Sequence, residues 1–446
     1  LFRDKAMAED LIRLVPAALG VHAPGLEFVQ TFLEVAPEGL AKTIEDAEEI
    51  LANRRNLIFP SYPVAGPLVD RSPRSGLPAV GYRSFGSKEK EPADEVMMAK
   101  KLFSNEKVEE LLRSKVLSEE EQEKTPRFEL PRDFSDLAQG RERENIGIVH
   151  IDGNGLGLLV KNFLQKLRDE KRDNAFVAQA YSEFSKAIQD AANRAFQSAV
   201  APLIHKYREE KRGAGKEYYS FRPLVCAGDD VTAVLRGEDA FLFAKHFLEA
   251  FERESRKALE GVGEGGFFLD DSGKPKGLTA CGGIVFVKKN FPFSQAYDLC
   301  ESLCSFAKKK ANRKCSALAF WRVTTTAAEE FEPILKRELT FSGTSGESPL
   351  VATMMPYGIG IPEELKASVS HVDDLDFLKN TLRDVPRGSL RQLLSEMARG
   401  KTRTERNFNR VKDVSFNRHN GKGSSRAFSV LEKALKKITD PEGASN

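Results

Sequence analysis

Long apolar runs are missing from this chain. No stretch approaches the ~18–20 consecutive apolar residues of a membrane-spanning helix. The opening LFRDKAMAEDLIRLV carries acids and has no apolar signal-peptide segment. Both absences predict a cytoplasmic protein with no membrane partner. Cysteine is sparse and unpaired in pattern: five residues, at 226, 281, 300, 304 and 315, with no Cys-x-x-Cys. That argues against a disulfide framework and a paired-cysteine zinc site, and the cysteines read as reduced core thiols. Excess charge is missing too. Lys and Arg number 68 against 66 Asp and Glu, a net charge of +2, so the whole chain does not act as a general nucleic-acid binder. What remains is an ordinary globular composition, 41% hydrophobic and 30% charged, in 446 residues, long enough for two or three domains.

Two stretches carry chemistry. IGIVHIDGNGLG (Ile146–Gly157) is a nearly continuous apolar run ending at Asp152, the pattern of a buried central strand. Glycines at 153, 155 and 157 allow sharp turns and close approach of a ligand. A helix is predicted to start near Leu156, and its free N–H groups favour phosphate. FRPLVCAGDDVTAVLRG (Phe221–Gly237) reads as a hairpin turning on Ala227-Gly228-Asp229-Asp230. Adjacent carboxylates on a tight turn repel, and a divalent cation offsets the repulsion. Mg²⁺ takes oxygen ligands, commonly one or two carboxylates plus substrate phosphates. Asp152, Asp229, Asp230 and the backbone carbonyl of Ile151 are the candidate donors. Each motif alone also suits an ordinary turn; the pair, in this order, points to a site.

The surrounding pattern predicts a fold. From residue 143 it reads strand (Ile146–Ile151), helix (Leu156–Lys166), long helix (Ala175–Tyr207), hairpin (Arg222–Leu235) and helix (238–259). A glycine-rich loop (261–277) follows, then strand (278–289), helix (Ser294–Lys310) and strand (316–323). This is α+β, an elaborated ferredoxin-like β-α-α-β-β-α-β-α-β. In that topology the first strand ends beside the hairpin turn, which makes Asp152 and Asp229 predicted neighbours. The loop at 261–277 lacks G-x-x-x-x-G-K-[ST] and precedes a strand, so it is not a phosphate loop. Residues 1–142 form an N-terminal region, helical over 1–56, with a proline-rich extended segment at 57–82 whose Arg71, Arg74 and Arg83 suit either phosphate or solvent. Residues 324–446 form a basic helical C-terminal region. Its run ARGKTRTERNFNRVK (398–412) suits RNA, a protein partner or a solvated face.

The layout resembles the palm shared by GGDEF nucleotide cyclases and the Cas10/Cmr2 subunit of type III CRISPR systems. In that family a strand ends in Asp-Gly-Asp and a hairpin carries Gly-Gly-Asp-Asp. Here the counterparts are Asp152-Gly153-Asn154 and Ala227-Gly228-Asp229-Asp230. The Asp-Asp ending is closer to Cas10 than to diguanylate cyclases, whose hairpin ends Glu-Phe. Asn154 in place of the second Asp removes one charge from a second metal position. The resemblance implies a nucleotidyltransferase or cyclase acting on ATP with Mg²⁺ or Mn²⁺, making a cyclic oligonucleotide signal in antiviral defence. Asp152, Asp229, Asp230 and the Ile151 carbonyl would hold the ion. Gly153, Asn154, Gly155, Leu156, Gly157 and Gly228 would shape the nucleotide site, and Lys308 and Arg313 would hold the triphosphate. A basic helix end also suits the helix dipole. Joining two nucleotides implies a homodimer or a second palm subunit. The family's full-length subunit carries HD nuclease and zinc-binding domains. With no His-Asp dipeptide and no Cys-x-x-Cys, this chain resembles a compact or stand-alone relative. The alternatives are a degenerate palm that senses nucleotide or acts structurally, and a mononucleotide or dinucleotide cyclase.

Overall fold

The computed structural model describes residues 4–56, 66–84, 89–102, 105–125, 128–138, 145–210, 217–264, 266–270, 273–341, 349–366, 368–382 and 387–418. The chain divides into two compact units, residues 1–114 with 157–184, and residues 115–156 with 185–446. In the first unit, helix Lys5–His22 is capped by Asp4, whose carboxylate accepts from the Ala6 N–H at 2.9 Å. Helix Leu40–Arg54 follows. The apolar spacing predicts helix throughout 1–56, but residues 23–39 are not helical. Pro24-Gly25 ends the first helix, and Gly39, at φ +98°, enters the second.

The second unit is built on a seven-stranded sheet. Its strands are β1 (Asn145–Gly153), β2 (Phe221–Ala227), β3 (Asp230–Arg236), β4 (Ala280–Lys288), β5 (Ser316–Arg322), β6 (Tyr357–Ile359) and β7 (Ser370–His371). The order is β7-β6-β5-β4-β1-β3-β2. The four-strand core β4-β1-β3-β2 is antiparallel throughout, the ferredoxin-like arrangement. β5 adds in parallel to β4. The helices from β1 onward are α1 (Leu156–Asp169), α2 (Asn174–Glu210), α3 (Gly237–Leu259), α4 (Phe293–Lys310), α5 (Phe331–Glu338), α6 (Asp373–Leu382), α7 (Arg387–Met397) and α8 (Lys401–Arg418). The element order from β1 to β5 is the one the sequence pattern predicts. β6 and β7 extend the sheet beyond it, using residues of the C-terminal region that the sequence pattern predicts to be helical.

β1 is central because it is apolar on both faces. Ile146, Ile148, Val149 and Ile151 are all buried, which two-sided coverage requires. On one face lies α3, whose Phe243, Phe247 and Phe251 form the predicted core stripe. Phe243 meets Phe196 of α2 edge-on at 4.9 Å, and Phe247 stacks on Phe251 at 5.8 Å. α4 covers the other face and lies very close to β4. A Cβ placed on Gly283 would fall 2.0 Å from the Cys300 carbonyl oxygen. All five cysteines are free and buried. The Cys300 thiol donates to the carbonyls of Ile148 and Gly283, and burial pushes the Cys304 thiol up to about 12. They are packing groups. The segment SSRAFSVLEKALKKI, whose apolar spacing predicts a terminal helix, lies outside the described residues.

Candidate active site

The sheet brings the two motifs to one edge. β1 pairs with β3 residue for residue up to Ile151 opposite Val231, so the β2–β3 turn stands beside the end of β1. That turn has two central residues, Gly228 and Asp229, between the paired Ala227 and Asp230. Gly228 has φ +62°, the first position of a type II′ hairpin turn, where glycine is needed. Its N–H donates to Gln189 Oε1 of α2 at 3.0 Å, which anchors the turn.

Asp229 is folded against the strand end. A Cβ on Gly153 would lie 2.4 Å from Asp229 Oδ2, so only glycine admits this approach. Asp229 stands above the usual carboxylate range. Burial is the main cause, and the Asp152 charge adds to it while Lys308 opposes. Asp230 is also raised, by burial first, with Asp152 and Glu301 adding and His150 opposing. Its Oδ1 is buried without a hydrogen-bond partner. His150 Nδ1 lies 3.6 Å from that oxygen and 3.1 Å from Thr232 Oγ1, with Tyr297 edge-on to the ring at 5.4 Å.

Asp152 has a cation already. Lys308, near the C-terminal end of α4, is 12% exposed and donates to Asp152 Oδ2 at 2.5 Å and to the Gly153 carbonyl at 2.8 Å. Ile151 is fully buried between Val231 and Gly282 in the register. Asn154 faces another way. Its backbone N–H donates to the Thr279 carbonyl at 2.8 Å, and its amide to Thr279 Oγ1 and the Cys315 carbonyl, each at 3.0 Å. It ties the loop to the entries of β4 and β5, and an aspartate here would oppose the Cys315 carbonyl instead of donating to it. Gly155 has φ +71°, Leu156 opens α1, and Gly157 lies in its first turn.

Arg313 is exposed and lies outside this set of contacts. It and Asn312 take φ of +55° and +49°, and the Arg313 N–H donates to the Lys308 carbonyl at 3.1 Å. The loop is thus clasped to the turn that bears Lys308. Lys309 and Lys314 are paired elsewhere, with Glu332 at 3.5 Å and Glu364 at 3.2 Å. In the first unit, Arg74 pairs with Glu91 at 2.6 Å. A 730 Å³ cavity lined by Phe320, Trp321 and Tyr357 lies at the other end of the sheet and holds none of the site residues.

Among the described residues, no three His, Cys, Asp or Glu side chains form a ready-made ion cage. The fit to a divalent cation is of another kind. Asp229 and Asp230 are held close, partly dehydrated and short of counter-charge, and Mg²⁺ needs only one or two carboxylates when phosphates complete its shell. Sequence reasoning missed His150, Gln189 and Thr279. His150 had a signal, since it lies two residues before Asp152 and so on the same strand face. Gln189, midway along a long helix, had none.

Residues 145–317 match the model of the Cas10/Cmr2 second palm domain. This segment is a Cas10/Cmr2-like palm. The match runs from the start of β1 into β5 and takes in every site residue named above. No curated protein sequence matches the chain. Among solved structures, the chain is similar to Csm1 of T. onnurineus at 13% identity and a TM-score of 0.32, over 72% of this chain and 41% of Csm1. The chain thus spans less than half of that protein's length. Among the described residues, no helix of the palm or its flanking regions is long and apolar enough to cross a membrane.

Proposed function

We propose that this palm is a nucleotidyltransferase that joins or cyclises nucleotides from ATP, yielding a cyclic oligonucleotide signal in antiviral defence. The observation that carries the reading is the seating of Asp229 against the bare backbone of Gly153, beside Asp152. A charged, half-dehydrated carboxylate pair is costly unless a cation joins it. Asp152 and Asp229 would hold Mg²⁺ or Mn²⁺, with Asp230 and the Ile151 carbonyl adjoining. When bound, the ion supplies neutralisation of phosphate charge and a lowered pKa for the attacking ribose hydroxyl. Gly155 and Leu156, at the start of α1, would offer backbone N–H groups to a triphosphate. Lys308 transfers its ammonium from Asp152 to the β,γ-phosphates, and Arg313 adds a second cation. His150, held by Thr232 and Tyr297, orients Asp230.

The test is incubation with each nucleoside triphosphate and Mg²⁺ or Mn²⁺, products read by mass spectrometry. The wild type is expected to form a cyclic or oligomeric adenylate that vanishes in Asp229→Ala/Asp230→Ala. A second reading, a nucleotide-sensing palm without turnover, is favoured by Asn154, whose amide is spent on Thr279 and Cys315. Stoichiometric ATP binding with no product, with and without added RNA, would establish it in place of the first. A product from GTP alone would indicate a different cyclase.

A further inference from the structure

Two cavities adjoin at the sheet end remote from the carboxylates. The larger, of 730 Å³, is lined by Phe320, Trp321, Met354, Met355 and Tyr357. The smaller, of 250 Å³, lies at the start of α3, against Asn145, Arg236 and Gly237. Phe286 and Arg322 line both. The register accounts for their position, since Phe286 of β4 pairs with Arg322 of β5 and neighbouring side chains share a face. Next to Phe286 across the sheet stands Gly147 of β1. A Cβ there would fall 2.3 Å from that of Ala240, so this glycine lets α3 come down onto the sheet beside the cavities.

The two spaces differ in chemistry. The larger offers aromatic faces: Phe320 stacks on Tyr357 at 5.9 Å and meets Phe286 edge-on at 6.5 Å. The smaller is cationic. Arg236 is only 9% exposed, and its guanidinium lies 4.3 Å from the Tyr207 ring centre. Its Nε donates to the Leu137 carbonyl at 2.9 Å, but its Nη2 is buried with no hydrogen-bond partner. A buried charged donor left unmatched is costly, and an anion in the space beside it removes that cost. No side chain caps α3, so its first N–H groups add positive potential. The acids of that turn are engaged elsewhere. Glu238 accepts from the Tyr207 hydroxyl at 2.7 Å and from Lys206 at 3.2 Å, and Asp239 pairs with Lys206 at 3.3 Å. Arg322 is exposed at the junction, with no carboxylate within ion-pair distance among the described residues. Ligand pockets run roughly 300–1,000 Å³, mostly apolar with a few placed polar groups, and this pair fits that description. A purely apolar occupant would leave Nη2 of Arg236 unmatched, and a free inorganic anion would leave the rings uncovered.

We propose that the joined cavities bind a small planar aromatic anion, its ring against Phe286, Phe320 and Tyr357 and its charge at Arg236 and Arg322. The length of β1 separates this site from Asp152 and Asp229, so it holds whether or not the palm turns over nucleotide. Trp321 is the chain's one tryptophan and lines the larger cavity, so fluorine NMR of the full chain labelled with fluorotryptophan gives a single resonance that reports occupancy. The probes are naphthoate, naphthyl phosphate and the uncharged naphthalene methanol. Both anions are expected to shift the resonance saturably, and the tighter of the two tells whether a carboxylate or a phosphate is preferred. The alcohol should bind about tenfold more weakly, because it forgoes hydrogen bonds between charged groups. Arg322→Gln should weaken both anions by about tenfold and leave the alcohol unchanged, with an unmoved melting curve because the side chain is exposed. Arg236→Gln, measured below its own melting transition, should weaken the anions likewise. An unshifted resonance with both anions would overturn the proposal, as would equal affinity for anion and alcohol or full anion affinity in Arg322→Gln. A resonance that moves with protein concentration alone would overturn it too, by showing that a second copy of the chain fills the cavities.

Discussion

At the scale of single residues, the site is a balance of three carboxylates, Asp152, Asp229 and Asp230, and one ammonium, Lys308. Asp152 is neutralised by Lys308, while Asp229 is partly buried without a cation of its own. The folded pKa of Asp229 lies above the ordinary value of 3.8, so the folded state favours the proton. The stability this group contributes is therefore full below pH ~4 and lost as pH rises through the raised pKa. Asp229→Asn keeps the shape and removes the charge. It should melt at a higher temperature than wild type at neutral pH, and the gap should close as pH falls below about 4. Identical melting curves across that range would show that the Asp229 charge is not strained. Lys308 gives a second prediction. Without its ammonium, Asp152 has no counter-charge, so Lys308→Met should bind Mn²⁺ several-fold more tightly in the absence of nucleotide, read by electron paramagnetic resonance, while its ATP affinity falls. Weaker Mn²⁺ binding in this variant would mean that Lys308 does not compete with the ion for Asp152.

At the scale of elements, the position of Lys308 depends on how closely α4 lies on β4. Gly283 is where they meet, against the backbone oxygen of Cys300, an atom that cannot swing aside. Gly283→Ala should cost about 1–3 kcal/mol or more in chemical denaturation, because the helix must lift off the sheet. Gly261→Ala, in open space at an ordinary φ, should stay within about 0.5 kcal/mol of wild type. Equal stability of the two variants would show that α4 moves freely on the sheet. Asn154 belongs to this scale as well. Its amide links the loop after β1 to the entries of β4 and β5. Read from sequence, it was a missing metal-site charge; in the fold it is a tie between strands.

At the scale of the whole molecule, long and strongly patterned segments were legible. β1 could be read because it is apolar on both faces, and α3 because its phenylalanines repeat at helical spacing. The β2–β3 turn could be read because Gly-Asp between two strand-forming runs has few other uses. From these came the element order β1 to β5 and, through topology, the meeting of Asp152 with Asp229. Segments of two or three residues were not legible. β6 and β7 are Tyr357–Ile359 and Ser370–His371, too short for any periodicity; the existing edge of β5 selects β6, and β6 in turn pairs with β7. The break at 23–39 was legible only in its prolines and glycines, which the apolar spacing on either side outweighed. Sequence by itself determined which residues carry charge, which runs are buried, and that two acidic motifs lie on neighbouring strands. Tertiary structure alone decided that Lys308 lies on Asp152 and that Asn154 faces Thr279 and Cys315. Those outcomes depend on distances between segments far apart in the chain, and local preferences carry no information about such distances.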